Sequence, residues 1–273
     1  MSAWICVRCA MQYPDTAAPP ASCPICEDER EAVAEGGQRW TTAAALAADH
    51  STELREEEPE LLGVGVTPSF GIGQRALLVR TPHGNVLWDC VPLVDDAARR
   101  EIERLGGVQA ICPSHPHFYA ALVDVADAFD ARVFLPRVDA RWIQRRSPRI
   151  EHYDDEVEPV PGVTVARVGG HFDGAAVLHW AAGSGGAGAL LTGDTIMVAE
   201  DRGWVSFLWS YPNLVPLDVA TVEEIARRVA GFRFGKLYGG WWGHVVGGGR
   251  ADAAEVVQRS ARRYVARLRV PGL

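Results

Sequence analysis

The sequence predicts an α/β fold in which two β-sheets stack face to face with helices on their outer faces, preceded by a small metal-binding knuckle. Two observations carry this. Four of the six cysteines fall within the first 26 residues as two CxxC pairs. The rest of the chain divides into two halves, each a block of short apolar runs followed by helical segments, which suits two sheets covered outside by helices. Composition alone leaves an ordinary layered α/β domain open.

At 273 residues the chain suffices for two domains of about 150 residues, or one large domain with an appendage. Hydrophobic residues make up 48% and charged residues 23%, ordinary globular usage that argues against disorder. No apolar run approaches the ~20 residues of a membrane helix. The opening Met1-Ser2-Ala3-Trp4-Ile5-Cys6 lacks the basic patch and apolar stretch of a secretory signal. A soluble, cytoplasmic protein with no membrane partner is expected. The net charge of −8 is concentrated in residues 27–60, where eleven acidic groups face three arginines. Nucleic acid is not an expected partner, because phosphate binding needs a basic face.

The two pairs, Cys6/Cys9 and Cys23/Cys26, lie 13 residues apart. Each CxxC turn aims two thiolates to one side, and together they suit one tetrahedral ion. Disulfides are disfavoured in a chain with no secretory signal, and the segment is too short to own a core. Cys90 and Cys112 are isolated in apolar surroundings and read as core fillers. Residues 1–35 resemble the rubredoxin-like knuckles of rubrerythrins and related proteins, through Trp4, Cys6, Cys9, Tyr13, Pro20, Cys23, Pro24 and Cys26. Ala10 and Glu27 stand where that family has glycine. Four thiolates bind zinc, which would make the knuckle structural, or iron, which would make it an electron carrier.

Residues 36–60 read as an acidic connector, partly helical over Thr42–Leu54. Leu77–Val79 and Val86–Trp88 read as strands joined by a turn at Thr81–Asn85. Asp95–Leu105 reads as a helix stopped by Gly106-Gly107. Val108–Cys112 is expected to be a strand, Phe118–Phe129 a helix, Arg132–Leu135 a strand and Arg137–Arg145 a helix. In the second half, strands are expected at Val163–Val168, Ala176–Trp180, Ala189–Thr192 and Lys236–Tyr238, and helices at Leu217–Val229 and Ala251–Leu268.

Four candidate ligand groups each follow an expected strand. His115-Pro116-His117 comes after Val108–Cys112, and two residues apart in extended chain project to one side. His171 follows Gly169-Gly170, Asp194 follows Gly193, and His244 follows Gly239-Gly240-Trp241-Trp242-Gly243. Loops at strand ends on a rigid scaffold are where binding groups gather. His83, His152 and His179 read as ordinary surface or core histidines.

The stretches Gly84–Asp89, Ser114-His115-Pro116-His117, Gly170–Gly174, Leu191-Thr192-Gly193-Asp194 and Gly243-His244 resemble the metallo-β-lactamase superfamily in order and spacing over roughly residues 61–250. The resemblance implies an αββα sandwich over 61–273, with a metal site between the two sheet edges. Asp89 matches an early Asp that supports the site without binding metal. The superfamily's usual His-x-His-x-Asp-His departs here, since Tyr119 and Ala120 occupy the places of the last Asp and His. One fully formed site is therefore expected: His115, His117 and His171 on zinc or iron, with Asp194 as fourth ligand or neighbour. His244 would complete that site, hold a weak second ion or orient substrate.

Three protein nitrogens with an open position let zinc lower the pKa of its water to about 7. The expected reaction is attack of the resulting hydroxide on an ester, thioester, amide or phosphoester of a small-molecule substrate. Asp194 is the expected base, with Asp173 a weaker candidate, and the Tyr119 hydroxyl a candidate oxyanion donor beside the reading of simple packing. Trp241 and Trp242 are candidates for an aromatic pocket wall. Two other readings stand beside the hydrolase: a redox protein with an iron knuckle, and a non-catalytic metal-binding module. The knuckle could also serve as a homo-oligomer contact.

Overall fold

The computed structural model of the chain describes residues 2–249 and 252–269. Two sheets dominate it. The first has seven strands in the spatial order Ile150–Tyr153, Arg132–Pro136, Ala110–Cys112, Val86–Trp88, Ala76–Val79, Leu61–Thr67 and Ser51–Glu58. The second has six, in the order Glu156–Val160, Val163–Arg167, Ala176–Trp180, Ala189–Gly193, Lys236–Gly239 and Val245–Gly247. Leu77, Val79, Trp88 and Phe134 point inward from the first and meet Val163, Val165, Leu178 and Leu191 of the second. Their neighbours Leu78, Leu87 and Val133 point outward, as the two-residue period of a strand requires, and are also buried. What buries them are the helices Asp96–Arg104 and Leu122–Phe129. Val219–Val229 and Ala253–Leu268 cover the second sheet in the same way. This is the expected αββα sandwich.

Helix starts follow local chemistry. The Asp95, Asp218 and Asp252 side chains each accept a backbone N–H of the first turn, satisfying donors that the helix leaves open. Ala251, the expected first residue of the last helix, lies outside the described residues. No helix among the described residues is long and apolar enough to cross a membrane.

Three expectations need correction. The helix expected from Phe118 begins only at Leu122. Pro116–Phe118 forms a 3₁₀ turn, and Ala120 at φ +40° breaks the helical path. Arg137–Trp142 is 3₁₀ rather than α; within it the buried Asp139 carboxylate accepts from the Gly174 N–H and ties the segment to the loop carrying His171. The segment 36–60 is more ordered than a connector: strand Trp40–Thr42 joins a three-stranded knuckle sheet, helix Ala43–Asp49 follows, and Ser51–Glu58 forms an edge of the large sheet.

The knuckle packs directly on the sandwich. Its Cys6, Cys9, Met11, Tyr13, Ile25 and Cys26 share one apolar cluster with Leu122, Val123 and Tyr119. The Gln12 N–H donates to the Ala120 carbonyl at 3.2 Å. Across the two sheets, fully buried Arg75 donates to Glu57 at 2.6 Å and to the Gly239 carbonyl at 2.7 Å. Gly63 and Gly65 leave a slot for the Trp242 ring, since a Cβ at either would lie within 2.7 Å of it. That slot fixes the loop leading to His244.

Candidate metal centres

The strands ending at Cys112, Arg167 and Gly193 deliver His115, His117, His171 and Asp194 to one edge of the sandwich. One donor atom from each of the four lies within 4.8 Å of all the others. None of these residues is more than 4% exposed. The close approach of two loops is set at Gly193, whose φ is +55° and where a Cβ would sit 2.4 Å from the Ser114 hydroxyl. Any other residue would push Asp194 away from His115.

Two of the three rings have their free nitrogen chosen for them. The Trp209 carbonyl accepts from His171 Nδ1 at 2.9 Å, leaving Nε2 as the bare lone pair. Ser114 Oγ lies 2.9 Å from His115 Nδ1, which likewise turns Nε2 inward. The Ser114 backbone is in turn held by Asp89, which accepts its N–H at 2.7 Å. Burial pushes the Asp89 carboxyl up to about 7, against the pull of these Ser114 bonds. The Tyr211 hydroxyl donates to the Asp194 carbonyl.

Inside the cluster the polar atoms converge without satisfying one another. His115 Nε2 and Asp194 Oδ1 lie 3.1 Å apart without the alignment of a hydrogen bond, and neither has a partner among the described residues. His171 Nε2 and His117 Nδ1 face each other at 3.1 Å. Donors about 2.1 Å from a tetrahedral ion are spaced at roughly 3.4 Å, so this set fits one cation. Burial, then the neighbouring imidazoles and Arg30, holds His115 and His117 far below the usual imidazole range. Burial is also the main cause that takes His171 down to about 3. All three rings stay neutral at physiological pH, the state in which imidazole binds metal. Burial raises Asp194, with Asp89 and Glu31 adding repulsion, so a cation is the counter-charge this carboxylate lacks.

The thiolate group is built differently. Cys6, Cys9, Cys23 and Cys26 are all buried and free. The Cys6–Cys26 and Cys9–Cys23 sulfurs are each 3.6 Å apart, too far for the roughly 2.05 Å of a disulfide and close to the ~3.8 Å separating two ligands on a tetrahedral ion. Tyr13 donates to Cys23 Sγ and Gln38 to Cys6 Sγ, both at 3.0 Å, which suits sulfurs carrying negative charge. Burial and the adjacent sulfurs push the Tyr13 hydroxyl up, so it remains a donor.

Two expected site residues stand apart from the histidine cluster. His244 occupies a half-buried turn between Lys236–Gly239 and Val245–Gly247, with its ring 5.7 Å from Trp241. The oxyanion role expected of Tyr119 has no support in the geometry. Its ring sits in the core cluster shared with the knuckle, its buried hydroxyl has no partner among the described residues, and burial, Asp139 and Tyr153 raise it. Cys90 is buried and pushed up to about 12, an inert thiol as its apolar surroundings suggest. Sequence reasoning gave no ring-orienting role to Ser114 or Trp209, although Ser114 stands beside the HxH and Trp209 lies in an aromatic-dense region expected to border the site, and it missed Arg30.

YmaE of Bacillus subtilis (strain 168), an uncharacterized protein, is 44% identical over 268 residues, covering 97% of this chain and 96% of YmaE. This chain belongs to the YmaE family. No protein-family model matches it. Among solved structures, the DIM-1 metallo-β-lactamase covers 80% of this YmaE-family chain and 98% of its own at TM-score 0.57 and 10% identity. VMB-1 gives the same score and coverage at 12% identity. The metallo-β-lactamase SMB-1, in complex with mercaptoacetic acid, covers 81% and 97% at TM-score 0.51 and 15% identity. These likenesses are of fold.

Proposed function

We propose that the chain is a metal-dependent hydrolase acting on a small-molecule ester, thioester, amide or phosphoester, with one ion held by His115, His117 and His171 and Asp194 beside it. The observation that carries this reading is the set of four buried donors, of which His115 Nε2 and Asp194 Oδ1 face each other with no hydrogen-bond partner among the described residues. An unpaired buried polar atom costs about 1–3 kcal/mol, and one cation would remove both costs at once. Bound there, zinc would supply a Lewis acid and bring the pKa of its water to about 7.

The chain's own residues do the rest. Ser114 and the Trp209 carbonyl fix the ring orientations, and Asp89 fixes Ser114. Phe118 and Phe172 pack on His115 with centroids at 4.9 and 5.5 Å and keep bulk water from the imidazoles. Asp194 would serve as the proton acceptor nearest the ion, leaving the fourth position to water. One ion rather than two is the better fit, because Tyr119 and Ala120 are committed to the core shared with the knuckle. The thiolate cluster holds zinc as a structural centre, consistent with four sulfurs that leave no open position.

Elemental analysis of the purified chain should find two ions, and His115→Ala should lose about one. An unchanged metal content in that variant refutes the histidine site. Turnover of para-nitrophenyl acetate, a thioester and bis-para-nitrophenyl phosphate should fall by at least about a hundredfold with the ion. A colourless protein supports zinc in the knuckle, whereas visible absorption from an iron–thiolate centre would turn the reading towards electron transfer.

A further inference from the structure

The donors of the histidine site are covered on every side, so a reactant reaches them only if part of the cover moves. One element of that cover comes from the knuckle. Asp28–Glu31 follows the ligand Cys26 by two residues and lies against the His171 loop. Arg30 sets its guanidinium carbon 4.5 Å from the centre of Phe172, 5.2 Å from Trp209 and 5.9 Å from Trp142. Phe172 in turn lies 4.9 Å from His117 and 5.1 Å from His171, so a single ring separates Arg30 from the imidazoles.

What holds this segment is unlike what holds the rest of the knuckle. Met11, Tyr13 and Ile25 are sunk in the apolar core, but Asp28–Glu31 has no apolar side chain to bury. Among the described residues its attachments to the sandwich are the Arg30 contacts with the three rings and one hydrogen bond, from Asn213 Nδ2 to the Glu29 carbonyl at 3.1 Å. Its remaining polar contacts are internal to the knuckle: Arg30 with Asp28, and Glu31 with Arg8, each at 2.8 Å. The buried Arg30 Nε has no partner among the described residues. A cation on aromatic faces is a weak hold beside a buried apolar core, so the segment can lift while the core of the knuckle stays seated.

We propose that Asp28–Glu31 is the lid of the histidine site, latched by Arg30 in the Phe172–Trp209–Trp142 cage and hinged at the thiolate centre. The thiolate ion then has a task beyond folding, since it fixes the chain two residues before the lid. The proposal rests on the reading of the histidine cluster as a metal site, and its test tells the two apart.

The zinc-loaded full-length chain is mixed with excess dipicolinate and a chromogenic zinc indicator, and release is followed in time, the histidine phase being assigned by its loss in His115→Ala. Arg30→Ala should release the histidine zinc about tenfold faster than the native chain, with the thiolate phase unchanged within about twofold. Arg30→Lys, which keeps a cation in the cage, should retain most of the protection. Asn213→Ala, lacking the second attachment, should give a smaller acceleration. Equal histidine-phase rates in the native chain and Arg30→Ala overturn the lid. Acceleration of both phases together would mark general loosening and also overturns it. A histidine phase that survives His115→Ala refutes the metal site itself.

Discussion

The thiolate and imidazole centres solve one problem, gathering four donors, by opposite routes. The thiolates come from 21 consecutive residues, in two turns that need little besides each other and a small sheet. The imidazoles and Asp194 span 80 residues and meet only because two sheets stack and three strands end at one edge. In the first case the proposed ion would help to make the fold; in the second the fold makes the site. The partners match this division. Around the sulfurs, Tyr13 and Gln38 donate to ligand atoms directly. Around the imidazoles, Ser114 and Trp209 engage the ring nitrogens that face away from the ion and so set orientation.

The largest effect should therefore come from the thiolates. Cys9→Ser removes one of four buried thiols from a segment whose folding would depend on the proposed ion, and should cost on the order of 3 kcal/mol or more. Thermal melting should fall, and limited proteolysis should open the first 40 residues. His115→Ala should lower the melting temperature less, because the sandwich core stands without the ion. The reverse order of melting shifts would break the comparison.

Next in size is a residue that touches no ion. Asp89 holds the Ser114 N–H and through it His115, so Asp89→Ala should weaken zinc at the histidine site by about 10–100-fold. Competition with a chelator of known affinity measures this. The thiolate ion should be unaffected; a matching loss there would show that the two centres are one cooperative unit.

The same contrast explains what the sequence disclosed. Strands such as Leu77–Val79 and Ala189–Thr192 are legible because every residue in them is buried and the run is almost wholly apolar. Ser51–Glu58 is not, because STELREEE is an edge strand whose charges belong there and discourage further pairing. The four clustered donors are legible because His115, His171 and Asp194 each follow a strand with glycine or serine beside them, and His117 lies two residues after His115. His244 meets the same description yet stays outside the cluster, since the Trp242 slot over Gly63 and Gly65 decides where its loop goes. Arg30 carried no signal at all. It reads as one basic residue in an acidic run, and its cage is assembled from residues more than 100 positions away.

The smallest effect tests the sheet pairing that the histidine centre depends on. Glu58, on the edge strand, accepts from Lys236 Nζ and the Tyr238 hydroxyl at 2.8 Å each and from the Ser184 N–H at 2.8 Å, so it pins the first sheet to the second. Burial alone would raise its carboxyl, but these three donors outweigh burial and hold it below the usual 4.5. A carboxyl lowered by folding stabilises the native state fully above its unfolded pKa and loses that contribution as pH falls through the native value. Glu58→Gln keeps the shape without the charge, and should be about 1–3 kcal/mol less stable than the native chain at pH 7. The gap should close as pH drops below about 4.5, where the native carboxyl takes up its proton. Denaturant unfolding of both chains between pH 7 and pH 3 measures it. A gap that stayed constant to pH 3 would mean that the charge does nothing and that packing alone joins the sheets at this end. Both ions should stay bound at pH 7 in the variant, because Glu58 ties the sheets together without contacting either set of donors.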